Sequence, residues 1–126
     1  MEDKQKIRVG ITHGDINGVG YEVILKTFAD ATMLELCTPI VYGSPKVATF
    51  HRKSMDIPTN FCIIGTAEGV QDGKLNILNC TEDELKVELS KSTPEAGKAA
   101  LDALERALQD YKDGLIDVLV TAPIKI

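Results

Sequence analysis

The sequence lacks several features that mark common protein classes. It has no tryptophan, two histidines, and only 5% aromatic residues in a chain of 126. Its three cysteines, Cys37, Cys62 and Cys80, are far apart and odd in number, so no disulfide framework or CxxC pair is indicated. No apolar run approaches the roughly 20 residues of a membrane-spanning helix, and the amino terminus lacks an apolar signal-peptide core. We therefore expect a cytoplasmic protein with reduced cysteines.

Basic residues are too few and too scattered for a nucleic-acid-binding surface. The chain has 14 lysines and arginines against 19 acidic residues, a net charge of -5, and no basic run longer than Arg52-Lys53. This balance excludes broad binding to nucleic acid or to anionic membranes. A hydrophobic content of 44% with 26% charged residues is ordinary for one globular domain of this length.

Short apolar runs alternate along the chain with amphipathic stretches, a pattern typical of α/β proteins. Strands are expected at residues 7–12, 39–43, 61–65 and 116–120, and helices at 21–36, 45–54 and 94–113. Leu75–Leu78 and Leu85–Leu89 also look extended and predict a small antiparallel addition. The expected fold class is α/β, with a mainly parallel sheet flanked by helices.

The helix that begins near Thr93 has the strongest local signal. Pro94 suits the first helical position and Gly114 suits the residue after the last turn. A stripe with a 3.6-residue period predicts its buried face: Ala96, Ala100, Ala103, Leu104, Ala107, Leu108 and Tyr111. The following strand, residues 116–120, looks buried, and in an α/β fold a covering helix normally follows such a strand. We therefore expect the chain to be part of a longer protein.

The segment THGDINGVG, residues 12–20, is the densest candidate for a binding site. It follows a predicted strand and precedes a predicted helix, where α/β proteins place their ligands. Its spacing is GxxxGxG, which matches neither the GxGxxG dinucleotide fingerprint nor the P-loop. Within it, His13 and Asp15 form a candidate polar pair. A tight structural turn with a capping Asp15 is the alternative interpretation.

Residues 120–125 form the second candidate, because they too follow a predicted strand. The Thr121 hydroxyl can form a hydrogen bond there, and Lys125 can meet an anionic group. His51 lies beside Arg52 on a polar helix and is interpreted as a solvated surface residue. No Ser-His-Asp or Cys-His arrangement and no metal-ligand spacing is found in the sequence.

Three motifs resemble those of the 4-hydroxythreonine-4-phosphate dehydrogenase family. They are ITHGDINGVGYEV at residues 11–23, STPEAGKAA at 92–100 and IDVLVTAPI at 116–124. The family patterns are similar to ITxGDPAGIGPE, SxESGxAA and IDALVTAPINK, and they occur in the same order across nearly the whole chain. Departures also occur: Tyr21 stands where proline is usual, Ile16 and Asn17 replace Pro-Ala, and Lys125-Ile126 replaces Asn-Lys.

The resemblance implies a fold like that of isocitrate and isopropylmalate dehydrogenases, in a homodimer with two α/β domains around a cleft. These 126 residues would be the amino-terminal portion of an enzyme of about 330 residues, more than one ordinary domain. Such an enzyme uses NAD or NADP and a divalent metal such as zinc, magnesium or cobalt. It oxidises a small phosphorylated hydroxy amino acid, 4-phosphooxy-L-threonine, and the product loses CO2 to give 3-amino-2-oxopropyl phosphate for pyridoxal phosphate synthesis.

The family's metal-binding histidines and substrate-binding motifs match no position here, so the resemblance places no catalytic residue and no metal ligand in this chain. It implies a cleft wall made of Gly14, Asp15, Gly18, Gly20, Thr121 and Pro123. Three polar residues of the same segments are further candidates: His13, Asn17 and Lys125. The chain alone is therefore expected to be inactive.

Two other functions remain open. A related dehydrogenase would act on a phosphorylated four-carbon sugar acid such as threonate or erythronate phosphate. A short, non-catalytic binding module would instead fold alone with a closed last βα unit. If the chain is part of a longer protein, apolar surface should be exposed near Val118 and Val120.

Overall fold

Five parallel strands form a single sheet in the computed structural model, which describes residues 6–13, 20–80 and 94–121. The strands are β1 (Ile7–Thr12), β2 (Cys37–Gly43), β3 (Phe61–Ile64), β4 (Leu75–Asn79) and β5 (Val118–Thr121). Their order in the sheet is β3-β4-β2-β1-β5, and each neighbouring pair is parallel. This confirms the expected α/β class.

Helices cover both faces of the sheet. They are α1 (Gly20–Thr27), α2 (Ala31–Leu36), α3 (Pro45–Ser54) and α4 (Pro94–Lys112). Alternate strand residues enter two apolar clusters, because successive side chains of a strand point to opposite faces. Val41 and Ile77 pack with residues of α1 and α3, whereas Tyr42 and Leu78 pack with Ala103 and Ala107 of α4. None of the helices in the described ranges has the length and apolar character needed to cross a membrane.

The prediction of a single helix over residues 21–36 is wrong, because this part of the chain forms two helices. The chain leaves α1 after Thr27 and starts α2 at Ala31. Asp30 is the cause, since its side chain accepts a hydrogen bond from the Thr32 backbone N–H at 2.9 Å and caps the second helix. By contrast, the predicted start of α3 is confirmed, with Ser44 as its cap and Pro45 at its first position.

The predicted antiparallel addition is also wrong where the structure describes it. Leu75–Asn79 is β4, a central strand that pairs in parallel with both β2 and β3. Leu75, Asn76, Ile77 and Leu78 are all buried, as expected for a parallel strand covered on both faces. Leu85–Leu89, the other predicted strand, lies outside the described residues.

Helix α4 approaches the sheet closely through its alanines, and Ala96, Ala100, Ala103 and Ala107 are buried as predicted. Leu108 and Tyr111 are exposed, which contradicts their place in the predicted stripe. Asp110 is buried instead, because the Tyr42 hydroxyl donates to its carboxylate at 2.6 Å. The hydrogen bond to Tyr42 on the sheet therefore places Asp110, and not Leu108 or Tyr111, on the buried face of the last turns of α4. Gly114 ends the helix region with a φ of 76°, as predicted.

The last strand is not the buried strand predicted for residues 116–120. Strand β5 lies at an edge of the sheet, and Val118 and Val120 are 44% and 46% exposed. Of the β5 residues, Leu119 packs against the apolar cluster that contains Ala103 and Ala107 of α4. Exposed apolar surface at Val118 and Val120 is the feature expected if the chain is part of a longer protein.

Burial of the Cys80 thiol, which follows β4, predicts a loss of stability at alkaline pH. Desolvation raises its pKa from an ordinary value of 9.0 to about 12, although nearby Arg106 opposes the shift. The folded state therefore holds the proton more tightly than the unfolded chain, and stability falls as pH rises from 9 toward 12. Cys80→Ala should flatten this pH dependence of the free energy of unfolding, measured by urea titration. Cys62→Ala is the matched control, and equal slopes in the two variants would contradict the assignment.

Candidate functional site

The carboxyl ends of the strands meet at one edge of the sheet and bring both predicted motifs together. Thr12 ends β1 and Thr121 ends β5, and the two residues are register partners. Along the chain β1 is followed by β2 on one side, whereas β5 is added later on the other side. Such a reversal of strand order opens a crevice at the carboxyl ends, the usual ligand site of open α/β sheets.

The structure describes three of the predicted site residues. His13 directly follows β1 and is buried, Gly20 is the buried first residue of α1, and Thr121 is exposed at the end of β5. The others lie outside the described residues: Gly14, Asp15, Asn17, Gly18, Pro123 and Lys125. The assignment of all these residues to a cleft stays a prediction.

His13 forms hydrogen bonds through both ring nitrogens. Its Nδ1 lies 2.9 Å from the Tyr21 hydroxyl, and its Nε2 lies 3.0 Å from the Ala99 carbonyl oxygen in α4. A carbonyl oxygen only accepts, so Nε2 carries the hydrogen and Nδ1 is the acceptor. The Tyr21 hydroxyl therefore donates to Nδ1. In turn, the Tyr21 oxygen accepts from the Ser44 backbone N–H at 2.9 Å.

These contacts form a continuous chain of donors, which we call the His13–Tyr21–Ser44 network. It links the start of α3, the first turn of α1, the end of β1 and the second turn of α4. Burial raises the pKa of the Tyr21 hydroxyl well above its usual range, so the hydroxyl keeps its proton and stays a donor. The Ser44 carbonyl, at 3.4 Å from the same hydroxyl, is a longer alternative acceptor.

His51 corrects the expectation of a solvated surface residue. Only 3% of it is exposed, and its ring stacks on Tyr21 with centroids 5.5 Å apart and an angle of 18° between the planes. The polar neighbours Arg52 and Lys53 misled the prediction. Lys53 is exposed and Arg52 is half-buried, whereas His51 faces inward with Val47 and Ala48.

Gly43 is a sterically constrained position at the site that the sequence motifs did not reveal. It ends β2 directly beneath the network, and a Cβ placed on it would collide with the Tyr21 hydroxyl and lie 2.8 Å from His13 Nδ1. Only glycine leaves this space open. The signal in the sequence is the Gly-Ser-Pro run, which indicated a helix start but gave no sign of the two side chains that occupy the space above it.

Among the residues that the structure describes, the Thr12 hydroxyl stands out because it is buried and has no hydrogen-bond partner there. A buried hydroxyl without a partner costs about 1–3 kcal/mol, so such groups are uncommon. Thr12 lies at the carboxyl edge of the sheet, where its register partner is Thr121. Its hydroxyl is therefore a polar group at the candidate site whose hydrogen-bonding capacity is not used by any other described residue.

No metal-binding cluster is found within the described ranges, where no three His, Cys, Asp or Glu side chains come together. His13 uses both ring nitrogens in the network, and His51 lies in the core. The described residues therefore do not fit a divalent metal.

Comparison with known proteins identifies the relatives of this chain. A family model described as "Pyridoxal phosphate biosynthetic protein PdxA" matches residues 35–126. A 4-hydroxythreonine-4-phosphate dehydrogenase of Bacteroides thetaiotaomicron is 67% identical over 97% of this chain, which is 34% of that protein. A "Putative D-threonate 4-phosphate dehydrogenase" of Clostridium botulinum is 31% identical, over 92% of this chain and 36% of its own length.

Solved structures show the same fold. The crystal structure of a 4-hydroxythreonine-4-phosphate dehydrogenase from Burkholderia phymatum superposes with a TM-score of 0.85 at 28% identity. The match covers 97% of this chain and 38% of that one. The fold is therefore isocitrate/isopropylmalate dehydrogenase-like, as the resemblance implied. The chain spans about a third of the length of the curated relatives it matches.

Gly43→Ala should destabilise the protein because the added methyl group displaces the Tyr21 hydroxyl or the His13 ring. Overpacking of this kind costs about 1–3 kcal/mol in the free energy of unfolding. Gly65→Ala is the matched control, since a Cβ there meets no atom within 4 Å. Urea titration of both variants measures the difference. Equal urea midpoints for the two variants would contradict the prediction, because the fold would then accommodate a methyl group at position 43.

Thr12→Val should stabilise the fold by about 1 kcal/mol, because it replaces a buried hydroxyl that has no partner with an isosteric methyl group. Thr38→Val is the matched control. The Thr38 hydroxyl donates to the Asp72 carboxylate at 3.1 Å, so its removal should lower the free energy of unfolding. Thermal unfolding of the two variants tests the pair. A destabilised Thr12→Val would mean that the hydroxyl has a partner in solution.

Proposed function

The chain belongs to the family of the pyridoxal phosphate biosynthetic protein PdxA, and we propose that it forms the amino-terminal part of a nicotinamide-dependent 4-hydroxythreonine-4-phosphate dehydrogenase. One observation carries the proposal: 67% identity over 97% of the chain to a protein of that name. Within the proposal, residues 1–126 supply one α/β portion of the enzyme and one wall of its cleft.

The proposed reaction oxidises a secondary alcohol. The carbon that bears the hydroxyl gives a hydride to the nicotinamide ring, and the hydroxyl proton passes to a base. The product is a β-keto acid, whose carbon–carbon bond to the carboxylate breaks to release CO2. The carbon left behind takes up a proton to give 3-amino-2-oxopropyl phosphate. NAD or NADP accepts the hydride, and a divalent metal such as zinc, magnesium or cobalt would stabilise the negative charge on oxygen. The metal's ligands, in this proposal, lie beyond the residues described.

The residues of this chain are proposed to bind and orient rather than to transfer protons. The carboxyl edge supports this role. It carries side by side the exposed Thr121 and the Thr12 hydroxyl, which has no partner among the described residues. The first residue of α1, Gly20, follows the glycine-rich segment, and a helix start offers N–H groups to an anion such as phosphate. The remaining cleft-wall assignments rest on the family resemblance: Gly14, Asp15, Gly18 and Pro123, with Asn17 and Lys125 as further candidates.

The homodimer and the cytoplasmic location belong to the same proposal. The homodimer rests on the family resemblance, and the cytoplasmic location rests on the sequence composition.

A second substrate is favoured by the 31% identity to the proteins named for D-threonate 4-phosphate. That substrate differs from 4-phosphooxy-L-threonine at the carbon beside the carboxylate, which bears a hydroxyl group instead of an ammonium group. The oxidation and the loss of CO2 proceed in the same way for both. The choice between them therefore depends on whether the site meets that carbon with an anionic group or with neutral hydrogen-bonding groups.

The assay compares both substrates in a protein with the full length of the curated relatives. We expect formation of NADH or NADPH from 4-phosphooxy-L-threonine, with one CO2 released per hydride transferred, and loss of the activity on chelation of the metal. Residues 1–126 expressed alone are the control and should be inactive. Faster turnover of D-threonate 4-phosphate would identify that compound, and not 4-phosphooxy-L-threonine, as the preferred substrate. Inactivity of the folded long form on both would favour a non-catalytic binding module.

A further inference from the structure

The face of the sheet that carries α1 and α3 has exposed apolar side chains at its β5 end. Val9 and Ile11 of β1 contribute to the apolar cluster on that face. Their register partners on β5 are Val118 and Val120, so these four side chains lie on the same face. Leu119, between the two valines, packs on the α4 face instead. The apolar cluster under α1 and α3 therefore continues onto β5, where it reaches the surface at the two exposed valines.

Helix α1 adds an apolar side chain beside this part of the sheet. Tyr21 stacks on His51, so that side of α1 faces α3, and α3 contacts β4 on the far side from β5. Successive helix residues are about 100° apart, which places Val23 about 160° from Tyr21, on the side of α1 toward β5. Val23 is exposed, as is Ile7 at the start of β1. We call the apolar surface formed by Ile7, Val23, Val118 and Val120 the α1–β5 surface.

The dimensions and chemistry of the α1–β5 surface suit an α-helix. A helix is about 10 Å wide, which equals the width of about two strands of a sheet. Helices α1 and α3 occupy neighbouring positions on this face, and the next position, over β5, holds no helix of the described ranges. All four side chains of the surface are aliphatic. A helix that packs there must therefore present an aliphatic face, with apolar residues three and four positions apart.

The connections between the strands indicate where such a helix would come from. Helices α1 and α3 lead the chain in the direction from β5 toward β3 and lie on one face, whereas α4 leads back toward β5 and lies on the other. This is the arrangement that right-handed parallel crossovers produce. A helix that directly followed β5 and led to a further strand beside it would thus lie on the α4 face. A helix on the α1–β5 surface must come from a different segment.

We propose that the α1–β5 surface is the docking site of an amphipathic helix of the same polypeptide, from the part of the longer protein beyond residue 126 and not from the connection that directly follows β5. The chain covers 34% of the Bacteroides relative and 38% of the Burkholderia structure, so most of the length of such a protein lies outside it. The proposal rests on the proposed function only for the existence of that longer protein.

A second copy of the chain is the alternative occupant. Its α4 exposes the apolar residues Leu101, Leu108 and Tyr111, which could contact the α1–β5 surface. Such a contact would join two different surfaces and would build rings or open chains of molecules. The α1–β5 surface is instead continuous with the buried cluster around Ile11, as expected for a site that another part of the same folded chain covers.

Thiol labelling tests whether the surface is covered. Val118→Cys and Val120→Cys are made in the protein at the full length of its relatives and treated with a maleimide, before and after unfolding in urea. Lys53→Cys, at an exposed position of α3, is the control. In the folded protein the two β5 variants should react at least about tenfold more slowly than the control, because a helix shields their thiols from the reagent. After unfolding, the three rates should be equal.

Two further experiments identify the occupant. Labelling is repeated at protein concentrations about a hundredfold apart, since only coverage by a second copy follows mass action. An amino acid with a photoreactive diazirine is also placed at position 120, and the cross-linked peptide is identified by mass spectrometry. We expect slow labelling at both concentrations and a cross-link to residues beyond 126 of the same polypeptide. Protection that is lost on dilution, or a cross-link only to residues 1–126, overturns the proposal.

A charged substitution provides a measurement that needs no new cysteine. Val120→Lys should lower the Tm of the long protein by about 5 °C or more, because a lysine covered by a helix loses its hydration. Ile63→Lys is the matched control, since Ile63 is an exposed aliphatic residue on β3, the opposite edge strand. Its Tm should stay within about 1 °C of that of the unmodified protein. Equal Tm values for the two variants would contradict coverage of β5.

The outcomes separate this proposal from the proposed function, because none of these measurements uses a substrate. Labelling of Val118→Cys and Val120→Cys as fast as that of Lys53→Cys shows an open surface and overturns the proposal, whatever the enzyme does. If the long protein has no activity on either phosphorylated substrate, the dehydrogenase assignment fails. Labelling and cross-linking then still decide whether a helix of the same polypeptide covers the α1–β5 surface.

Discussion

Parallel pairing on both sides of β1 is the constraint on which the rest of this structure depends. Strand β1 pairs with β2 over its whole length and with β5 over its last four residues. Parallel neighbours cannot be joined by short hairpins, so the intervening chain must cross over a face of the sheet as helices. The carboxyl ends of all the strands then lie at one edge, which places Thr12, Gly43 and Thr121 together.

Helices pack closely on both faces of the sheet, and one buried tyrosine lies in the core on each side. Tyr21 and Tyr42 belong to opposite apolar clusters, yet each has its hydroxyl paired: one with His13 and Ser44, the other with Asp110. A buried hydroxyl without a partner is costly, so each tyrosine constrains the elements around it. For Tyr21 the consequence is a glycine at position 43. For Tyr42 it is a carboxylate on the inner face of α4.

The fold alone does not determine which of the two phosphorylated acids is the substrate. The relatives named for 4-hydroxythreonine-4-phosphate and for D-threonate 4-phosphate both align with this chain over at least 92% of its length. Their shared scaffold can therefore serve two related acids, and the difference must lie in the side chains that meet the substrate. Our proposal of the amino acid substrate rests on the much higher identity to the former, 67% against 31%.

The sequence by itself determined the α/β class, the start of α3 at Ser44-Pro45, the end of α4 near Gly114 and the family, because these depend on local caps, periodicity and motif order. Tertiary structure alone decided which residues are buried and which strands are neighbours. His51 is in the core because Tyr21 stacks on it, β4 is central because β2 and β3 both pair with it, and Asp110 faces the sheet because Tyr42 binds it. Such contacts join residues far apart in the chain, so no local pattern encodes them. The partners of His13, eight and 86 positions away, could be found only in the folded molecule.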